Sequence, residues 1–165
     1  VLRRTEWLGR YLLGRKVLRC LSAHTEVPAE SLTGRQIRRA FCKGKHIFIE
    51  FDGDCYLHNH LLMRGKWKKL DGNQLFLPDD AWLGLYVGPY TICNLNGQLL
   101  KLVGQEELAA KLASLGPDAM SRPYPADEIR AALAATLCSK ECNDPKGERQ
   151  TEGIQNLPNL SLTFN

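Results

Sequence analysis

Between Lys43 and Trp67 the chain reads KGKHIFIEFDGDCYLHNHLLMRGKW, two runs in which apolar and polar positions alternate. Taken as extended from Lys45 to Phe51, a period of two places Lys45, Ile47, Ile49 and Phe51 on one face and His46, Phe48 and Glu50 on the other. The β-branched and aromatic content favours a strand. Asp52-Gly53-Asp54 contains the Asp-Gly pair that closes hairpins, and the return run Cys55 to Leu61 sets Tyr56, His58 and His60 against Leu57, Asn59 and Leu61. Lys45 therefore enters the hairpin near the place where His60 leaves it, and the extended run continues to Leu70. An ammonium, an imidazole, the flexible thioether of Met63 and the cations Arg64, Lys66, Lys68 and Lys69 gather at one end. Anions are the natural ligand of such a rim.

The flanking patterns are simpler. Val1, Thr5, Leu8 and Leu12 form one helical stripe, with Arg3, Arg4, Glu6 and Arg10 off it, and Gly14 is placed to cap this helix at its C-terminus. Lys16 to His24 and Gln36 to Cys42 read as strands, separated by a polar loop with Pro28 and a turn at Leu32-Thr33-Gly34-Arg35. Asp71-Gly72-Asn73 and Pro78-Asp79-Asp80 mark loops, and Trp82 to Val87, Tyr90 to Asn94 and Gln98 to Val103 are three further short strands. Strands at this spacing predict an antiparallel sandwich or barrel in place of alternating βα units. Helices are predicted over Gln105 to Ser114 and Ala126 to Leu137, with Leu115-Gly116-Pro117-Asp118 as the stop between them. Beyond Leu137 periodicity is lost, and a poorly ordered tail is expected.

Composition bounds the reading without changing it. At 165 residues, 44% apolar and 24% charged, the chain is one ordinary domain with a core, plus a tail. The net charge of +4 is unevenly spread: residues 1–69 carry 15 Lys/Arg and 6 Asp/Glu, a net +9, and residues 70–165 carry 7 and 12, a net −5. A basic half-domain reads as a polyanion-binding face, nucleic acid ahead of membrane, because no basic amphipathic helix or lipidation signal accompanies it. A solvated basic surface is the bland alternative. No apolar run approaches the roughly 18 residues needed to span a bilayer, and no signal-peptide pattern opens the sequence, so a cytoplasmic location is expected. Six cysteines are scattered. Cys20, Cys42, Cys55 and Cys93 fall in strand-like runs and are expected to be reduced and buried; Cys138 and Cys142 form a C-x3-C pair with no second pair, so no metal site is expected there.

Taken in order, LTGRQIRRAFCKGKHIFIEF, the segment His60-Leu61-Leu62-Met63-Arg64-Gly65 and the linker Leu115-Gly116-Pro117-Asp118 resemble the N-terminal domain of the formamidopyrimidine-DNA glycosylase and endonuclease VIII family, over roughly residues 1–137. The endonuclease VIII branch is the nearer. The resemblance implies an α+β, mainly β fold, with an antiparallel β-sandwich, an N-terminal helix and two following helices. It divides the chain into a glycosylase-like sandwich domain at 1–114, a linker and the start of a helical domain at 115–137, and an aberrant or disordered tail at 138–165. It also implies a function, base-excision repair of oxidised bases by a bifunctional glycosylase and AP lyase, with double-stranded DNA carrying a damaged base or abasic site as partner, no membrane, a monomeric state and, for a bacterial protein, association with the nucleoid.

The same resemblance supplies roles for the rim. A damaged base is reached only when flipped from the duplex, and a flexible, polarizable side chain suits the gap it leaves. Met63 matches that wedge. Lys45 matches an assisting lysine near the lesion and its phosphates, His60 a phosphate-contacting histidine, and Lys43, Arg64 and Lys66 would hold the DNA backbone electrostatically. The plain alternatives are Met63 as core, His60 as a satisfied strand histidine and the lysines as guards of a sheet edge. His58-Asn59-His60 could also place two imidazoles on one face for a metal, or resemble a nuclease H-N-H motif, but neither a third ligand nor the helix that motif requires stands nearby in sequence.

The family's nucleophile is an N-terminal proline followed by glutamate, and this sequence starts Val1-Leu2, so that pair is expected upstream of Val1. Glu152-Gly153-Ile154-Gln155-Asn156 only loosely resembles the family's helical G-[IV]-G-N segment, no four-cysteine zinc finger is found and hence no cofactor is expected, and no wedge-assisting Arg and Phe match Asn94 to Gly97. The expectation is a truncated or frame-disrupted copy, inactive as it stands. A non-catalytic DNA-damage-binding module is the alternative, and a small β-domain whose charge asymmetry serves a protein partner is a third reading.

Overall fold

The computed structural model describes residues 1–96, 99–117 and 126–141, the last six by backbone alone. Helix α1 (Leu2–Leu12) is followed by β1 (Arg19–Ser22), the single turn α2 (Ala29–Leu32), β2 (Ile37–Lys43), β3 (His46–Phe51), β4 (Cys55–His60), β5 (Lys66–Asp71), β6 (Ala81–Tyr86), β7 (Tyr90–Leu95), β8 (Leu99–Val103), α3 (Gln105–Ser114) and α4 (Ala126–Glu141). The strands form two four-stranded antiparallel sheets, in the orders β1-β6-β7-β5 and β2-β3-β4-β8. The architecture is α+β and mainly β, as the alternation predicts.

The period of two decides which layer each residue joins. Ile47, Ile49 and Phe51 of β3 and Leu57 of β4 turn inward to meet Leu83, Leu85 and Ile92 of the facing sheet, and Leu8 and Leu12 of α1 close the same core. Each such aliphatic side chain removed from water stabilises the fold by about 1.5–3 kcal/mol. Phe48 and Tyr56 point the other way and are covered by Leu108 of α3, whose hydrophobic stripe includes Leu112. Both faces of β3 and β4 are therefore occupied over most of their length. What remains uncovered is the end at His46 and His60.

Several boundaries differ from the sequence reading, each for a local reason. Lys45 is not in a strand: Gly44 and Lys45 are the two-residue loop between Lys43 and His46, which are paired across β2 and β3, and Gly44 takes φ +56. The extended run does not continue to Leu70, because β4 ends at His60 and the chain crosses to the other sheet, where β5 pairs with β7. The polar stretch with Pro28 contains a helical turn, Ala29–Leu32, whose Leu32 is buried; Pro28 at φ −60 is already set for a helix start. The strand at Lys16 to His24 is shorter, with Lys16 held by an isolated bridge to Gln36. Helix α4 runs through Cys138 to Glu141, and the rest of the expected tail, from 142 onward, lies outside the described residues. All four cysteines of the strand-like runs are free, but only Cys20 and Cys93 are buried; Cys42 and Cys55 are half-buried. Burial pushes the Cys20 thiol up to about 12 and the Cys93 thiol to about 11, so neither is a nucleophile near neutral pH.

Candidate nucleic-acid interface

The crossing from one sheet to the other is a tight turn over Leu61 to Gly65. Leu62 adopts φ +46, and the Gly65 N–H donates to the Leu61 carbonyl at 2.9 Å. A Cβ at position 65 would stand 2.5 Å from that oxygen and 2.8 Å from the Leu61 Cα, so only glycine closes this turn. Behind it, Trp67 is buried, and its indole N–H donates to Asn59 Oδ1 at 3.0 Å while the Asn59 amide donates to the Leu99 carbonyl at 2.8 Å. Arg4 of α1 donates to the Trp67 carbonyl at 3.1 Å. The turn is thus pinned to β4, β8 and α1 at once.

Its product is Met63, 96% exposed at the tip. This excludes the reading of Met63 as core. Lone exposed apolar residues are ordinary on protein surfaces. A methionine raised on a turn fixed at three points, among cations, is not a random member of that class. A cavity of about 250 Å³ beside it is lined by Val1, Lys45, His60, Leu61, Leu62 and Met63. A second, of about 480 Å³, shares Val1, Leu61 and Leu62 and adds Arg3, Arg4, Trp7 and Gly65. Among the described residues, no carboxylate lines either one.

The candidate residues separate into two groups. Lys45, His60 and Met63 come together in the smaller cavity. Arg64 and Lys66 are exposed on the same turn and at the first residue of β5, with no carboxylate partner among the described residues. Lys43 is drawn elsewhere: its ammonium donates to the Leu112 carbonyl at 2.7 Å, satisfying the C-terminal end of α3. Lys69 also leaves the rim, pairing with Asp71 at 3.1 Å and lying over the rings of Tyr11 and Tyr90.

One group was missed. His46 faces His60 across β3 and β4, and its Nδ1 stands 2.8 Å from His58 Nε2, so three imidazoles gather where the sequence pattern names two. The signal was available in the hairpin register, which puts the first residue of β3 opposite the last of β4. Burial lowers all three. His58 falls to about 4, assisted by His46 and Lys111; His46 is lowered further by His60 and Lys111, and His60 by Lys45 and Lys111. At neutral pH they are uncharged; the bond between His46 and His58 uses one N–H of that pair, which leaves one N–H on the pair and one on His60 to donate outward. Among the described residues no cluster of three or more His, Cys, Asp or Glu has metal-holding geometry.

The chain is similar in sequence and in fold to known proteins. The model of the formamidopyrimidine-DNA glycosylase N-terminal domain matches residues 4–83. The protein named Endonuclease 8 2 in Mycobacterium bovis, and its counterpart of the same name in Mycobacterium tuberculosis, are each 31% identical over 162 residues, 95% of this chain. Together these matches support the formamidopyrimidine-DNA glycosylase and endonuclease VIII family for this chain. It spans 62% of the length of those mycobacterial relatives. Its fold is that of Lactococcus lactis FPG (MutM) solved with a FAPY-dG-containing DNA, at TM-score 0.58 and 16% identity over 67% of this chain and 45% of that one. A second structure of the Lactococcus lactis protein, with a THF-DNA and an inhibitor, agrees at TM-score 0.59 and 16% identity, over 67% of this chain and 44% of that one. The stretch matched to the glycosylase family, from α1 into β6, contains the whole Lys45, His60 and Met63 rim.

Proposed function

We propose that this chain grips damaged duplex DNA in base-excision repair, as the N-terminal part of a glycosylase and AP lyase for oxidised bases. Met63 enters the stack where a nucleotide has been turned out, His60 donates to a backbone phosphate beside it, Lys45 stands at the lesion, and Arg64 and Lys66 neutralise flanking phosphates. The observation that carries this is the exposure of Met63 on a turn anchored to β4, β8 and α1. Because the turn that carries it is pinned, only the flexible Met63 side chain is ordered when it inserts, and the cations around it supply a sequence-independent, salt-sensitive attraction.

The chemistry would start at the N-terminus. Val1 shares a cavity with Lys45, so a segment joined ahead of Val1 begins at this pocket, within reach of a sugar held there. A secondary amine in that place attacks the anomeric carbon as the base departs, cleavage of the C1′–O4′ bond then gives the iminium, and an adjacent carboxylate relays protons to the departing base and the ring oxygen. A second reading, a damage-binding module that releases no base, rests on the same exposed Met63 and on cations without carboxylate partners among the described residues, which attract duplex DNA whether or not an amine is present.

Borohydride trapping on a duplex with one abasic site separates these. The test compares the chain with a form carrying Pro-Glu-Gly-Pro-Thr ahead of Val1. Cross-linking by the extended form alone supports the glycosylase and lyase reading. Salt-dependent binding by both forms without any cross-link supports the damage-binding module. Failure of both to prefer the abasic duplex over an intact one rejects the rim as a lesion site.

A further inference from the structure

A further open cation, Lys111, stands outside the rim. His58 lines a cleft of about 450 Å³ beneath α3, together with Lys101, Glu107, Lys111 and Ser114. Lys101 and Glu107 hydrogen-bond directly and neutralise each other. The Ser114 hydroxyl donates to the Lys111 carbonyl at 2.8 Å. The Lys111 ammonium has no carboxylate partner among the described residues, and its charge bears on His46, His58 and His60 alike.

These imidazoles join the cleft to the rim. His58 lines the cleft, His46 bonds to His58 at 2.8 Å and lies 4.6 Å, ring to ring, from His60, and His60 lines the Met63 cavity with Lys45. His58 and His60, two residues apart on one strand, stand about 7 Å from each other. Lysines at both ends of the chain of rings repel a cation, and an apolar ligand would leave Lys111 without a counter-charge. An anion satisfies both: it pairs with Lys111 and accepts from neutral imidazole N–H groups.

We propose that this cleft is a second phosphate-binding subsite, in which Lys111 and the bonded pair of His46 and His58 take a backbone phosphate of the DNA strand that passes Met63. The proposal rests on the DNA-binding reading above and adds to it a contact away from the lesion. Because successive phosphates of one strand lie roughly twice the 3.4 Å axial step apart through space, a site at His58 or beyond takes a phosphate one or more nucleotides from the one at His60.

A methylphosphonate scan tests it. Each phosphate of an abasic duplex is replaced in turn by a neutral methylphosphonate, and affinity is read by fluorescence anisotropy for the 165-residue chain, for Lys111→Ala and for Lys111→Gln, whose unfolding midpoints are compared with the parent. In the parent, two groups of positions lose affinity, one beside the lesion and one displaced along the strand by one or more nucleotides, the second by about three- to tenfold. Both variants bind the unmodified duplex weaker by about the same factor, lose sensitivity at the second group only, and show a log-log salt slope smaller by about 0.9. The proposal is overturned if neutralisation matters only beside the lesion, or if the variants keep the parent's sensitivity at every position. The source of the anion is read separately, by NMR shifts of His58 and Lys111 in inorganic phosphate. Shifts there with a scan that is flat away from the lesion would assign the cleft to free phosphate groups and overturn the DNA assignment. A parent chain that does not bind the abasic duplex at all defeats the DNA reading itself, and with it this subsite; binding confined to the lesion-side phosphates defeats the subsite alone.

Discussion

The two ends of the β3 and β4 hairpin, roughly 17–20 Å apart along six-residue strands, use charge in opposite ways. At the Asp52-Gly53-Asp54 end, charged groups hold the fold. Arg35 donates to the carbonyls of Ser31 and Asp52, the Asp52 carboxylate accepts the Gln36 N–H at 3.1 Å, and Arg39 pairs with Glu50. At the other end Lys45, Arg64 and Lys66 have no carboxylate among the described residues, and Met63 projects into water. Charge that is satisfied internally contributes to stability and is silent towards partners. Charge left open around an exposed wedge contributes little to stability and is available to a polyanion.

The sharpest way to break the comparison is Gly65→Ala. The added Cβ meets backbone at 2.5 Å, with no flexible side chain to give way, so the turn must open; a loss of about 2–4 kcal/mol in urea unfolding is expected, together with loss of abasic-site preference. A stability loss without a binding loss would detach the turn from function. Acid is the next largest perturbation. His58 has a folded value of about 4 against an ordinary value near 6.5, so the unfolded chain binds the extra proton between them. Stability is full above about 6.5 and falls as pH drops towards 4, by on the order of 2–3 kcal/mol, with His46 and His60 adding in the same direction. Unfolding midpoints at pH 7.5 and 5 check this, and His58→Phe, which keeps the stack on Phe48, should flatten the difference.

Trp67→Phe removes the donor to Asn59 Oδ1 and is expected to cost about 1–2 kcal/mol in unfolding free energy, with weaker discrimination of abasic from intact duplex as the turn loosens. Met63→Ala should do the reverse of a core truncation: stability within about 0.5 kcal/mol of the parent, because the side chain is exposed, and preference for abasic over intact duplex reduced about tenfold in competition binding. The smallest effects contrast the two ends directly. Arg64→Ala should lower the salt slope of DNA binding by about 0.9 with no change in stability, and Arg39→Ala should leave DNA binding unchanged while costing at most about 1 kcal/mol. Equal salt slopes for the two variants would erase the distinction between the ends.

Much of this was legible in the residues. Ile47, Ile49, Phe51 and Leu57 announce the inner face by alternation alone, and Gln105 to Ser114 is a helix in sequence and structure alike. The departures share a cause. Lys45, Leu61 to Gly65 and Ala29 to Leu32 sit at element ends, where a local pattern cannot say whether a strand continues, turns or changes sheets. Lys43 and Lys69 were grouped with the rim because they are cationic and near it in sequence; α3 and the pair of Tyr11 and Tyr90, brought in from distant segments, claim them instead.

By itself the sequence determined the alternation, the turn chemistry and the charge asymmetry, because these depend on residue type and spacing within one segment: a mainly β fold, a basic first half and an H-L-L-M-R-G turn. Only the tertiary structure decided that Met63 is exposed, that Val1, Lys45 and His60 share one pocket, and that His46 completes a chain of imidazoles reaching Lys111. The physical reason is that exposure and pairing are properties of what the rest of the chain places alongside. Periodicity orients a side chain to a face of its strand, and the packing of α1, α3 and the second sheet determines whether that face is core, cleft or open rim.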